Sequence, residues 1–336
     1  MGKNFLAFAL KVAVTSGLIW LVLRDQDLSV VGDRLSEISL ASIFCAIGLL
    51  AGQNVLAARR WVVVMGLFGR ALPYRSALRF YFEGLFFNQA LPSTVGGDGV
   101  RMYRAVKAGL PVVDGVNGVL LDRISGLFAL LAIVALTQPW LYDRVGDTSA
   151  RLAFGIVIVA GVGGVLILAL CRRIPGGLMR WSAARGLVGL SNGLAELFRN
   201  GAAAMEVFGL SLIGHIMMVS AIFILTLDLQ LNVSFLDCLI LVPGVMLLAS
   251  APISIAGWGV RESIMISAMA LVGAPEVGSL GLSLVYGVIM ILIGLIGGVL
   301  WLTNSDRRVA DIENTSEVAG SSLSSIDRQK TSLGKI

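Results

Sequence analysis

Two ten-residue segments of the chain carry the same order of helix breakers and charge. The first is Pro92-Ser-Thr-Val-Gly96-Gly97-Asp98-Gly99-Val-Arg101. The second is Pro252-Ile-Ser-Ile-Ala-Gly257-Trp258-Gly259-Val-Arg261, 160 residues further on. Both read P-x-x-x-x-G-x-G-V-R. Pro removes a backbone donor, and Gly adopts angles that other residues avoid. Pro92, Gly96, Gly97, Gly99, Pro252, Gly257 and Gly259 are therefore hinge positions of broken helices. A Gly-x-Gly turn entering a helix offers bare N–H groups to an anion. Arg101 and Arg261 follow directly and suit a phosphate gripped by paired donors. A structural reading stands beside this one, with glycines for close helix packing and arginines running to an interface.

Further charges lie in apolar surroundings. Asp122 and Arg123 fall inside Val119-Leu-Leu-Asp-Arg-Ile-Ser-Gly126. Helix neighbours point about 100° apart, so each needs a partner elsewhere. Asp98 and Arg101 are candidates, as are Arg261 and Glu262. Either these groups build an ion-pair network around an anion, or Asp122 and Arg123 sit at an interface. Glu83 and Asn88, in Tyr81-Phe-Glu-Gly-Leu-Phe-Phe-Asn88, either line the same cavity or satisfy broken backbone. His215 is the single histidine and reads as hydrogen-bonded glue between helices. No His/Cys cluster suggests a metal, no Ser-His-Asp set or G-x-S-x-G elbow suggests a hydrolase, and Gly-x-Gly here lacks a Walker lysine or a preceding strand. No cofactor is expected.

These residues need elements to hold them, and the composition says which. Of 336 residues, 26 are Lys or Arg and 21 are Asp or Glu, 14 % in all, and 57 % are hydrophobic. Mean hydropathy is +0.87. That excludes disorder, and three cysteines in so long a chain exclude a disulfide scaffold. The net charge of +5 gives no reason to expect nucleic acid. The chain reads as an all-α polytopic membrane protein. Six stretches are apolar enough to span: 5–23, 40–58, 116–136, 152–170, 207–227 and 280–302. The first has no cleavage site after it and reads as a retained span; the second ends at Arg59-Arg60-Trp61, an interfacial stop with an aromatic anchor. The apolar regions 78–92 and 235–272 are broken, either re-entrant or made of two half-length crossings.

Loop charge orients the chain. Segment 59–79 holds Arg59, Arg60, Arg70, Arg75 and Arg79 and no acid, whereas segment 24–39 holds Asp25, Asp27, Asp33 and Glu37 against two arginines. Segment 172–203 has five arginines and one glutamate. Lys and Arg accumulate on cytoplasmic loops, which predicts both termini inside the inner membrane. Residues 1–302 form the membrane domain, and 303–336 a flexible Ser-rich tail. The shared motif splits the domain into repeats of about 5–138 and 152–302. Each has three crossings, an odd number, so the second copy lies upside down. Inverted repeats with broken helices at matched positions point to a midplane site of the transporter kind.

Arg60-Trp61, Phe86-Phe-Asn88, Leu91-Pro-Ser93, Gly96-Gly-Asp98, Arg101 and Leu121-Asp-Arg123, with Pro252-Ile-Ser-Ile-Ala-Gly257-x-Gly259-Val-Arg-Glu262, resemble the lysylphosphatidylglycerol synthase transmembrane family over about 5–302. That resemblance implies a flippase-like domain that moves aminoacylated phosphatidylglycerol between leaflets. It also implies that aminoacyl transfer belongs to a soluble domain, which the Ser-rich tail does not resemble, so no enzyme activity is expected here. Trp258, between the second pair of glycines, departs from the family pattern and narrows the site. The expectation is a protein that binds or translocates an anionic lipid, with a headgroup site of Asp98, Arg101, Asp122, Arg123, Arg261 and Glu262. The alternatives are a membrane enzyme of lipid or polyisoprenoid-phosphate transfer, with those acids as its machinery, and an accessory subunit to a separate transferase or synthase. Membrane lipids are the expected partners.

Overall fold

The computed structural model describes residues 15–17, 20–21, 24, 28–91, 96–174, 181–250, 254 and 256–303. Most of the expected first span, Pro92, Pro252 and all of the tail beyond Thr303 lie outside the described residues. Within them the chain is all helix: α1 (Leu28–Ser36), α2 (Leu40–Leu67), α3 (Tyr74–Ala90), α4 (Gly96–Lys107), α5 (Val112–Leu136), α6 (Gln138–Arg144), α7 (Thr148–Leu170), α8 (Ser182–Arg199), α9 (Gly201–Asp228), α10 (Phe235–Ala249), α11 (Val260–Ala270) and α12 (Glu276–Leu302). A 3-10 turn, Cys171–Arg173, extends α7.

Among the described residues five helices (α2, α5, α7 with its turn, α9 and α12) are long and apolar enough to cross a bilayer. A crossing takes roughly 20 residues. The two broken regions do not supply such helices. α3 has 17 residues and α4 has 12; α10 has 15 and α11 has 11. At about 1.5 Å per residue the longest of these is roughly 25 Å. In each pair the two helices pack on one another. In the first, Asn88 Oδ1 accepts from Gly97 N at 2.8 Å and Glu83 meets Arg104. Residue numbers fall along α3 as they rise along α4, so the pair is an antiparallel hairpin that returns toward its starting side.

Glycine does different work in the two hairpins. In the second, Gly257 and Gly259 have φ of 81° and 83°, the left-handed region that a side chain disfavours. They turn the chain into α11. In the first, Gly96, Gly97 and Gly99 are already in the opening turn of α4. Gly97 is needed there for space: a methyl group on it would strike the Gly84 carbonyl and sit 2.7 Å from the Asn88 side chain. The shared motif therefore yields a turn in one copy and a close helix crossing in the other.

The 160-residue offset recurs in the architecture. It carries α2 onto α9, α3 onto α10, α4 onto α11 and α5 onto α12. Packing between the halves is reciprocal: α3 rests on α12, and the equivalent pair α10 rests on α5. α2 and its equivalent α9 pack along their length. Ser39 N donates to Asp228 at 2.9 Å, Arg60 to Ser211 at 3.0 Å, and Arg59 pairs with Glu206 at 2.7 Å. Partner numbers fall as α2 rises, so these equivalent helices run antiparallel. Such exchange of equal contacts is the signature of a two-fold relation, and antiparallel equivalents make the two halves inverted.

α2 corrects the reading of Arg59-Arg60-Trp61 as an interfacial stop. The helix continues to Leu67, and Arg60 and Trp61 are buried. The run of apolar residues ends there because Arg60 turns inward to a charge partner, not because the bilayer ends.

Gly97→Ala should force the α3–α4 hairpin apart and cost about 1–3 kcal/mol, as overpacking does. Gly163→Ala on α7, where an added methyl meets open space, should be neutral or slightly stabilising. Thermal melts in detergent compare the two, and equal melting temperatures would contradict the steric account.

Candidate functional site

The inward turn of Arg60 opens onto a cavity of about 260 Å3 between α2, α3, α4, α5 and α9. Its charged lining comes from Arg60 on α2, Asp98 and Arg101 on α4, and Asp122 and Arg123 on α5. These five form one alternating chain. Arg60 Nε donates to Asp122 Oδ1 at 2.7 Å and Arg101 Nη2 to Asp122 Oδ2 at 2.7 Å. Arg101 Nη1 reaches Asp98 Oδ1 at 3.4 Å, and Arg123 donates to Asp98 Oδ2. Withdrawing each charge from water costs several kcal/mol and is tolerated only with well-placed partners. The sequence supplies the partners at matched depth on three helices.

Room for this network is made by small residues. A methyl group on Gly126 would lie 2.8 Å from Arg60 Nη1, and one on Gly84 would lie 3.1 Å from the Arg101 side chain. His215 Nε2–H donates to the Gly126 carbonyl at 2.9 Å and ties α9 to α5. It is hydrogen-bonded glue as well as cavity wall. The Arg101 guanidinium lies 4.3 Å from the Trp61 ring centroid and 4.4 Å from that of Tyr81. These faces offset part of its desolvation. Its Nε nonetheless has no hydrogen-bond partner among the described residues.

Among the described residues of this network, three guanidinium groups face two carboxylates, an excess of one formal positive charge. Burial is uneven. Arg60, Asp98, Arg101 and Asp122 are all buried, whereas the Arg123 side chain is 31 % exposed. Arg123 and Asn88 also line a second cavity of about 190 Å3, together with Gly257, Arg261 and Tyr286 from the second half. Arg261 there is held between the Trp258 ring at 4.9 Å and the Tyr286 ring at 5.3 Å, with its Nε donating to Ser283 at 3.1 Å. The two cavities thus meet at Asn88 and Arg123.

A family model described as the lysylphosphatidylglycerol synthase TM region matches residues 8–298. The chain belongs to that family. It is a multi-pass membrane protein of a lipid-related family. Comparison with curated proteins finds no match.

The family's motif residues do not all face a cavity. Asp98, Arg101, Asp122 and Arg123 share the first one, and Arg261 lines the second. Glu262 lines neither. Its carboxylate caps α11 by accepting from Gly259 N and holds Arg261 and Ser283. Glu83 lines neither as well. It is wholly buried behind α4, accepting from Arg104 Nε at 2.6 Å and Arg79 Nε at 3.1 Å. Arg104 rests 4.5 Å from the Trp301 ring, so this second buried cluster fastens the first hairpin to α12. Asn88 both caps the hairpin at Gly97 and lines the two cavities. Arg101 and Arg261 are each only 5 % exposed and do not run out to an interface.

Tyr81 and Ser211 belong to the site and were not singled out by the motifs, while Arg60, quoted in the resemblance, was read as the end of a span and not as a site residue. For Arg60 a signal exists: Gln53 lies seven residues earlier, two helix turns away on the same face, and both line the cavity. Ser211 has no such marker, since one serine in a span is unremarkable.

Asp122→Ala leaves Arg60 and Arg101 buried without their shared carboxylate and should cost about 3–5 kcal/mol. Glu206→Ala breaks only the half-exposed pair with Arg59 and should cost less than about 1 kcal/mol. Unfolding in mixed detergent and dodecyl sulfate measures both, and equal losses would contradict the burial argument.

Proposed function

We propose that the protein binds the phosphate of an anionic phospholipid in the cavity of Arg60, Arg101 and Arg123 and carries that headgroup between leaflets. The supporting observation is the buried chain of alternating charges, with one positive charge over, that ends at Arg123 where two cavities of inverted halves meet. An incoming phosphate takes the place of Asp98 on Arg123 and gains paired donors. The headgroup then passes toward Arg261 while the acyl chains stay in lipid, which avoids moving a bare charge through hydrocarbon. Inverted halves suit this task, because each presents an equivalent hairpin to one side. The excess of arginine in 172–203 supports a position in the inner membrane with both termini cytoplasmic.

Acid–base chemistry asks for a carboxylate free to exchange protons. Asp98, Asp122 and Glu262 each hold at least one guanidinium, which favours transport over the enzyme alternative.

Arg123→Gln is the decisive variant, because Arg123 is the least buried member of the network and glutamine keeps an N–H donor for Asp98, which should spare the fold. In vesicles of reconstituted protein, exchange of fluorescent phosphatidylglycerol should slow at least tenfold, about 1.4 kcal/mol on the barrier. The melting temperature should stay near wild type. Unchanged exchange in Arg123→Gln would sink the proposal.

A further inference from the structure

α7 stands apart from the packed helices. Although its 23 residues are among the most apolar of the chain, none is buried within the protein. Between it, Phe128 of α5 and α8 runs a groove of about 860 Å3. Two smaller apolar cavities share Phe128 and Val165 with it and extend it toward α9 and α10. Along its length the groove is walled by side chains such as Val162, Leu166, Leu194 and Phe198. At one end the wall changes character. Arg172 and Arg173 of the 3-10 turn line it there, beside Ser191 of α8; Arg199 lines it eight residues further along α8, and no acid lines it among the described residues.

The arginines are placed to receive an anion. Arg172 and Arg173 are exposed, and no ion pair holds either guanidinium among the described residues. Arg199 has only a loose 3.6 Å pair with Glu196, with its side chain 81 % exposed. Ser191 fixes the turn, accepting from Arg172 N at 3.1 Å and donating to the Ala169 carbonyl at 3.2 Å. α8 itself is amphipathic, with Leu190, Leu194 and Leu197 turned inward and Trp181 exposed just before its start. A helix of that kind lies at the depth of lipid headgroups.

We infer that this groove is a lipid site of its own, holding one anionic glycerophospholipid with its phosphate on Arg172 and Arg173 and an acyl chain along α7. The occupant follows from the lining. A long apolar trough wants a hydrocarbon chain, and two adjacent exposed arginines at one end want a phosphate. Basic pockets between membrane helices bind anionic headgroups for the same reason. The site lies on the far side of α5 from the Arg101 cavity. It needs no residue of that cavity, so it does not depend on the transport proposal.

Photolabelling locates the lipid directly. The full chain in vesicles is exposed to phosphatidylglycerol bearing a diazirine in its acyl chain, with the phosphatidylcholine analogue as comparison, and the adducts are mapped by mass spectrometry. Phosphatidylglycerol should label Val162, Val165 and Phe198 at least fivefold more than phosphatidylcholine does. Arg172→Gln/Arg173→Gln should abolish that preference, and Ala195→Trp, which fills the trough, should remove the adducts for both lipids. Arg123→Gln should leave them unchanged. Absence of adducts at these positions in the wild-type chain, or equal labelling by the two lipids, overturns the site without need of any variant. A preference that survives in the double arginine variant, or adducts that survive in Ala195→Trp, also overturn it.

Discussion

An ionised side chain cannot stand alone inside a membrane protein, and the arrangement of this molecule depends on that constraint. Asp122 sits at the centre, fully buried, with one oxygen on Arg60 and the other on Arg101. The three residues come from α2, α5 and α4, so a single carboxylate sets the mutual depth of three helices. Asp98 and Arg123 continue the chain outward. A second cluster, Glu83 with Arg104 and Arg79, repeats the solution between the first hairpin and α12. Buried ion pairs add little net stability, but an unmatched one is costly. Their effect is therefore to exclude other registers.

The same demand for close contact explains the glycines. Guanidinium groups are wide, and helices that share them must still pack. Gly126 and Gly84 leave the space that Arg60 and Arg101 fill, while Gly97 and Gly297 let backbone approach backbone at the hairpin and at α12. Small residues at charged crossings give a tight scaffold around a polar cavity. The inverted relation of the halves then brings a second arginine, Arg261, to a neighbouring cavity from the opposite repeat.

Much of this was legible along the chain. Five spans follow from runs of apolar residues, and the paired motifs announced two broken elements and the inversion, but not whether each element returned as a hairpin or crossed in two halves. Asp98 and Arg101 were readable as candidate partners of Asp122 and Arg123, because four charges in apolar surroundings must find each other. Other features were not legible. Arg60 looked like the end of a span, since an arginine pair followed by Trp is what an interface also looks like. Glu83 and Asn88, five residues apart on one helix, share an apolar stretch but face different partners. Glu262 follows Arg261 directly, yet caps a helix instead of entering a cavity.

The sequence by itself determined the class, the spans and the repeat, because apolar length and breaker position are local properties that bilayer thickness turns into structure. Tertiary structure alone decided which charges meet, which arginine stays half exposed, and that two cavities join at Arg123. Those outcomes depend on the rotation of each helix about its axis. That rotation is set by packing and charge matching between residues far apart in the chain.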